Sequence, residues 1–256
     1  MNSWDREIVL SDSESKRRLR RKTRRDFLIG GVAALGAIGG YEWIHSAKRD
    51  GGLAWPERRV LDLNGKLAES YVSSSHLMPA YSPNQIGWLK PNGDIGMDDD
   101  IDANNWEVKV THDQGGPDIK LSLPDIKALP KIEMITRFCC IEGWSTITHW
   151  GGARFSDFTH KYSRPGAKLT NFVSLATPGD DYYVGLDMKS AMHPQTLLAY
   201  EQNGKPLADE HGAPLRLVIP VKYGIKSIKR VGLIQYTNDK PDDYWAEEGY
   251  DWFAGL

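Results

Sequence analysis

The only two cysteines in 256 residues are adjacent, in the stretch Arg137-Phe138-Cys139-Cys140-Ile141-Glu142-Gly143-Trp144-Ser145. Neighbouring cysteines bridge each other only under strain, so no disulfide framework is available and the fold has to rest on buried apolar area. With 40% apolar residues the chain is long enough for one sizeable core. The same stretch ends a predicted strand, Ile132 to Cys140. Successive strand side chains point to opposite faces, so the two thiols cannot serve one site: one packs and the other meets a cleft. A thiolate beside an acid, two tryptophans and small residues, continuing through His149-Trp150-Gly151-Gly152, reads as a metal site.

The charge distribution marks off the N-terminus. Residues 1–25 hold nine basic and four acidic side chains, a net of +5, so the rest of the chain carries −7 against a total of −2. The basic charge is a local tail rather than a nucleic-acid surface, and no nucleic-acid partner is expected. Directly after it comes a Gly/Ala-rich apolar run, Phe27 to Ile44, of about 18 residues, at the lower edge of what spans a bilayer. Basic n-region followed by apolar segment is the pattern of an export signal. Thr23-Arg24-Arg25-Asp26-Phe27-Leu28 resembles the twin-arginine motif, whose route carries proteins already folded around a cofactor. Ile44-His45-Ser46-Ala47 is a poor small-x-small site, which leaves two readings open, a cleaved signal or an anchor with the basic tail inside. The division is then 1–25 basic region, 26–47 apolar signal or anchor, and 48–256 a single catalytic domain.

Residues 48–105 are rich in Gly, Pro, Ser, Asn and Asp and are expected to be long ordered loops, with Asp98-Asp99-Asp100-Ile101-Asp102 a solvated acidic turn lacking the spacing of a calcium loop. Beyond them Trp106, Val108 and Val110 alternate with Glu107, Lys109 and Thr111, the period of a half-buried strand, and Ile119, Leu121 and Leu123 alternate again after a Gly-Gly-Pro turn. Short strands are also expected at 172–175, 182–186, 215–219 and 228–236, with a hairpin turn at Asn203-Gly204. The class is α+β with strands predominating.

Four motifs in order, Cys140-Ile141-Glu142-Gly143-Trp144-Ser145, His193 to Gly204, His211-Gly212-Ala213-Pro214-Leu215-Arg216-Leu217, and Lys222-Tyr223-Gly224-Ile225-Lys226-Ser227-Ile228-Lys229, resemble those of the sulfite oxidase family of molybdopterin enzymes. The likeness runs from about residue 106 to 256 and is closest to the exported methionine sulfoxide reductase branch. It implies a sulfite oxidase-type molybdopterin-binding fold, and a cofactor of molybdenum on molybdopterin. By the same resemblance Cys140 is the metal ligand, while His211, Arg216, Lys226, Ser227 and Lys229 hold the cofactor and Glu142 or Tyr223 supplies a proton. Cys139 has no counterpart and reads as a small buried side chain; His149 reads as a hydrogen-bonded histidine, not a ligand.

Departures from the family direct the choice of substrate. Sulfite oxidases place arginines after the ligand cysteine and in an upstream Arg-Asn-His segment; here Ile-Glu-Gly-Trp-Ser follows the cysteine, and Ser74-Ser75-His76-Leu77 has serine where arginine would stand. Missing cations and an added acid disfavour a dianion. Oxygen-atom transfer from a small or protein-bound sulfoxide is therefore expected, ahead of oxidation of sulfite or another small anion and of a non-catalytic exported binding module. No Cys-x-x-Cys-His occurs, so a c-type haem is not expected in the chain. Electrons would come from a separate donor, a membrane haem subunit in the reductase branch. The dimerisation domain of sulfite oxidases does not follow, and a monomeric, periplasmic or inner-membrane-anchored unit is the expectation.

Overall fold

In the computed structural model of the protein, residues 11–97, 101–102, 105–113, 115–163 and 169–256 are described. Asp98 to Asp100 of the acidic run, and the first ten residues of the basic region, lie outside them. The chain divides into two units: the described residues up to Asp50 with 54–56, and 51–53 with 57–256.

The first unit is dominated by one helix, α1 (Asp12–Ser46), which carries both the arginine run and the apolar segment. Ser11 caps it reciprocally: its hydroxyl accepts from Glu14 N–H at 3.3 Å while the Glu14 carboxylate accepts from Ser11 N–H at 3.3 Å. None of its residues is buried in the fold, and it is long and apolar enough to cross a membrane.

The 48–105 region is not all loop. Trp55–Tyr71 forms a 17-residue helix, α2. Gly65 is the one buried position of this helix, where a Cβ would come within 3.3 Å of Phe253. The glycine serves close packing against the C-terminal segment.

The second unit contains two five-stranded sheets. In chain order the strands are β1 (Glu107–His112), β2 (Ile119–Ser122), β3 (Lys131–Cys139), β4 (Ser145–Arg154), β5 (Phe172–Ala176), β6 (Tyr183–Asp187), β7 (Leu197–Gln202), β8 (Lys205–Pro206), β9 (Arg216–Val218) and β10 (Leu233–Thr237). One sheet has the order β2-β1-β10-β5-β6, with β1 and β10 parallel and the other neighbours antiparallel. The other has the order β8-β7-β4-β3, and β9 also pairs with β7. The alternation around Trp106 is realised, since Trp106, Val108 and Val110 are all buried. They join Leu175, Leu186, Leu217 and Ile234 in the larger core cluster. A smaller cluster of Leu89, Trp150, Leu197, Ala199, Leu207 and Val218, with Phe138 and Trp144 packed against it, underlies the site.

Three expected strands are cut short, 215–219 to Arg216–Val218 among them. Residues 228–232 leave the sheet, and only Leu233–Thr237 pairs. Arg230 adopts φ +49 there, while its guanidinium donates to Met97 O at 2.7 Å and meets Asp209 at 2.6 Å. Similarly β3 stops at Cys139, one residue early, which places Cys140 in the turn rather than on the strand.

Candidate active site

The β3–β4 hairpin sets the two cysteines apart. Cys139 is the last paired residue of β3, opposite Ser145. Cys140 opens the turn: its N–H donates to Trp144 O at 2.9 Å, and Gly143 N–H returns to Cys140 O at 3.2 Å. Gly143 closes the turn at φ +88, a conformation that favours glycine. Cys140 is only 6% exposed and lines a cavity of about 150 Å³; Cys139 does not line it. Burial pushes the Cys139 thiol up, against a weaker opposing pull from Arg137, so Cys139 is poorly suited to serve as a thiolate. Asn92 Nδ2 donates to Cys140 Sγ at 3.5 Å from the opposing Leu89–Ile95 segment. Sequence reading missed Asn92, because Pro91-Asn92-Gly93 carries only a turn signal.

Next to Cys140, Ile141, Glu142 and Trp144 also line the cavity. Glu142 is exposed, and its Oε2 accepts from Trp144 Nε1 at 3.0 Å. Tyr182, Trp245 and Tyr250 supply an aromatic wall.

Basic side chains line the cavity as well, His211, Arg216 and Lys229, with Ser227 among them. Arg216 projects from β9 and is held fully buried, Nη1 donating to His211 O and Nη2 to Ser227 O, each at 3.0 Å. Its guanidinium centre lies 4.9 Å from the Trp150 ring and 5.8 Å from that of Phe138. Its Nε is buried without a partner. Burial lowers Arg216 to about 10, which leaves it charged at neutral pH. Lys229 Nζ donates to Gly93 O at 3.1 Å and is pushed down to about 8, first by burial and then by Arg216. His211 is likewise lowered by burial and by Arg216. A buried Arg216 donor without a partner, in a guanidinium that also lowers the pKa values of Lys229 and His211 beside it, is the signature of a place for an anion. Cys140, Glu142, His211, Arg216, Ser227 and Lys229 thus come together around one cavity.

Lys226 and Tyr223 do not line it. The single turn Gly224–Lys226 directs the Lys226 ammonium away, where it donates to Gly185 O at 3.0 Å, pairs with Asp243 and lies 4.8 Å from the Trp252 ring. Tyr223 is anchored by its N–H to Ala254 O at 2.9 Å and stays half-buried. Gly224 makes a close backbone approach, and its neighbour is the Phe138 ring: a Cβ at this position would lie 2.5 Å from Cζ. His149 sits mid-strand on β4, 3.8 Å from Glu133.

A strand-rich α+β domain that gathers a buried thiol and a cluster of cations around one cavity fits an enzyme holding an anionic, metal-bearing cofactor. The sequence matches the oxidoreductase molybdopterin binding domain family over residues 95–245, more than half of the chain. The chain belongs to that family and is a molybdenum-dependent oxidoreductase with molybdopterin as its cofactor. Among curated relatives, the putative protein-methionine-sulfoxide reductase subunit YedZ1 of Azospira oryzae is 32% identical, over 68% of this chain and 70% of its own. The protein-methionine-sulfoxide reductase catalytic subunits MsrP of Campylobacter jejuni and Xanthomonas campestris are 34% and 38% identical, over 63% and 56% of this chain. The matches span 60% and 48% of those two MsrP chains. A solved structure, the sulfane dehydrogenase SoxCD from Paracoccus pantotrophus, aligns with a TM-score of 0.49 at 16% identity, covering 55% of this chain and 40% of that one.

Proposed function

We propose that this oxidoreductase reduces a sulfoxide, free or within a protein, to the thioether. The observation that carries the reading is the set of side chains beside the thiol: Ile141, Glu142 and Trp144 follow Cys140, and Trp245 and Tyr250 complete the cavity. An aromatic and apolar surface with one carboxylate suits a neutral S-oxide and repels a sulfite dianion. The names of the relatives point the same way.

In this reading the Cys140 thiolate is the molybdenum ligand, and Arg216, Lys229, His211 and Ser227 hold the pterin phosphate. The cofactor supplies a two-electron centre able to exchange an oxygen atom. Overall, a sulfoxide takes two electrons and two protons and yields a thioether and water. With Oε2 accepting from Trp144 Nε1, the Glu142 carboxylate is held at the cavity, where it can relay a proton toward the substrate oxygen. Electrons come from a separate protein, a membrane haem subunit as in the reductase branch that the motifs resemble. Export by the twin-arginine route, with α1 retained in the inner membrane, places the domain in the periplasm.

Steady-state turnover of the cofactor-loaded enzyme tests the reading. Methionine sulfoxide reduction with a reduced viologen dye should exceed sulfite oxidation with a ferric acceptor by at least about 100-fold in kcat/KM, or about 3 kcal/mol of differential transition-state binding. Faster sulfite oxidation would overturn it.

A further inference from the structure

Lys226 belongs to the loop that lines the cavity, yet its charge is spent elsewhere. Gly224, Ile225, Ser227 and Lys229 all line the cavity, whereas the Lys226 ammonium is fully buried outside it and pairs with Asp243. Asp243 is itself 2% exposed and serves as a hub. Its Oδ2 accepts from Lys226 and, at 3.1 Å, from Gly185 N–H; its Oδ1 accepts from Ala246 N–H at 3.1 Å and so caps the short helix Tyr244–Glu247. That helix and the turn after it carry Trp245 and Tyr250, whose rings meet edge to face at 5.2 Å and both line the cavity. Tyr244 packs 5.5 Å from Tyr182, and the Tyr182 hydroxyl returns to the same loop, donating to Ile225 O at 2.5 Å. Farther along, the Lys222 ammonium donates to Phe253 O at 2.7 Å, 3.5 Å from Asp187. The aromatic wall is thus tied by buried charge to the loop that presents Ser227 and Lys229.

We propose that Lys226 and Asp243 form a positioning pair that sets the distance and tilt of the Trp245–Tyr250 wall relative to Cys140, and so govern how tightly a thioether-sized S-oxide is held. The proposal rests on the sulfoxide reading of the cavity for its substrate, but not for its geometry. A buried pair of this kind fixes one arrangement because separating its members strands a charge in the interior. Sulfur against aromatic rings makes contacts that depend on ring placement, so a loosened wall weakens binding without touching the reacting atoms.

The test is made on the cofactor-loaded enzyme with Lys226→Met/Asp243→Ser, which removes both charges and keeps a capping hydroxyl, and with Asp243→Asn, which keeps the side-chain shape. Lys226→Arg is the conservative rescue. Hydrogen exchange in segment 241–250 should quicken by roughly tenfold in the first two variants and stay near wild type in the third. Molybdenum content should stay unchanged in all three. KM for methionine sulfoxide should rise about tenfold while kcat stays within about threefold. Loss of molybdenum with unchanged exchange would overturn the proposal, because it would make Lys226 a cofactor ligand; faster exchange with unchanged KM would overturn it by showing that the wall does not hold the substrate. If the wild-type enzyme does not turn over methionine sulfoxide, the sulfoxide reading fails, and exchange and molybdenum content still decide whether the pair holds the wall.

Discussion

Two sets of residues share one cavity and obey opposite rules. The basic set, Arg216, Lys229 and His211, consists of buried or half-buried side chains whose pKa values are all pushed down. The set beside the thiol, Ile141, Glu142 and Trp144 with Trp245 and Tyr250, offers aromatic surface and one exposed carboxylate. In the proposed reading the first accepts a fixed anion and keeps it, while the second admits and releases a neutral substrate. The contrast assigns the basic side chains of this site to the cofactor and leaves substrate choice to residues that a charge count would pass over.

That division can be broken by substitution. Glu142→Gln should lower kcat by about 100-fold or more with KM little changed, as loss of a positioned proton donor does; equal loss in KM would make the carboxylate a binding group. Arg216→Met should weaken cofactor retention by about 100-fold, read as molybdenum lost on dialysis, since charged hydrogen bonds to an anion are each worth about 1.5–3 kcal/mol. Anion binding by the cofactor-free protein should depend on pH through Lys229, which sits at about 8. The charged form is present below that value, so phosphate affinity should hold from pH 6 to 7.5 and fall as pH rises past 8. The stability of the empty protein runs the other way: the unfolded lysine binds more protons than the folded one from about pH 8 up to its ordinary range, so stability climbs with pH there. Titration of phosphate affinity and denaturant midpoint on one sample shows both slopes, and parallel slopes would contradict the assignment. Smallest of all, Tyr223→Phe should change kcat/KM by no more than about twofold, the ~0.5 kcal/mol expected of a side chain outside the site.

Much of this was legible in the chain, and the misses have physical causes. The alternation Trp106, Val108, Val110 marked a strand because one face of β1 is core. The resemblance singled out Arg216 and Lys229, and both line the cavity. Opposite faces for the two thiols were expected from strand alternation, but the separation arises because Cys140 leaves the strand at a glycine-closed turn. The direction of Lys226 was not legible, because a single turn of Gly224–Lys226 decides it and its partner Asp243 lies 17 residues away. Asn92 was invisible for the same reason, being 48 residues from the sulfur it meets. Helix α2 was read as loop because the composition of 48–105 as a whole, rich in Gly, Pro, Ser, Asn and Asp, hid the 17 residues that form it.

The central claim is that one cysteine serves the metal and its neighbour serves the fold. Molybdenum content and the molybdenum electron paramagnetic resonance signal, measured on Cys140→Ser and Cys139→Ser produced side by side in a host that makes the cofactor, test it most directly. The account predicts that Cys140→Ser loses or reshapes the signal and abolishes turnover, while Cys139→Ser keeps the wild-type signal and turnover. Equal effects from the two substitutions, or loss confined to Cys139→Ser, would contradict it.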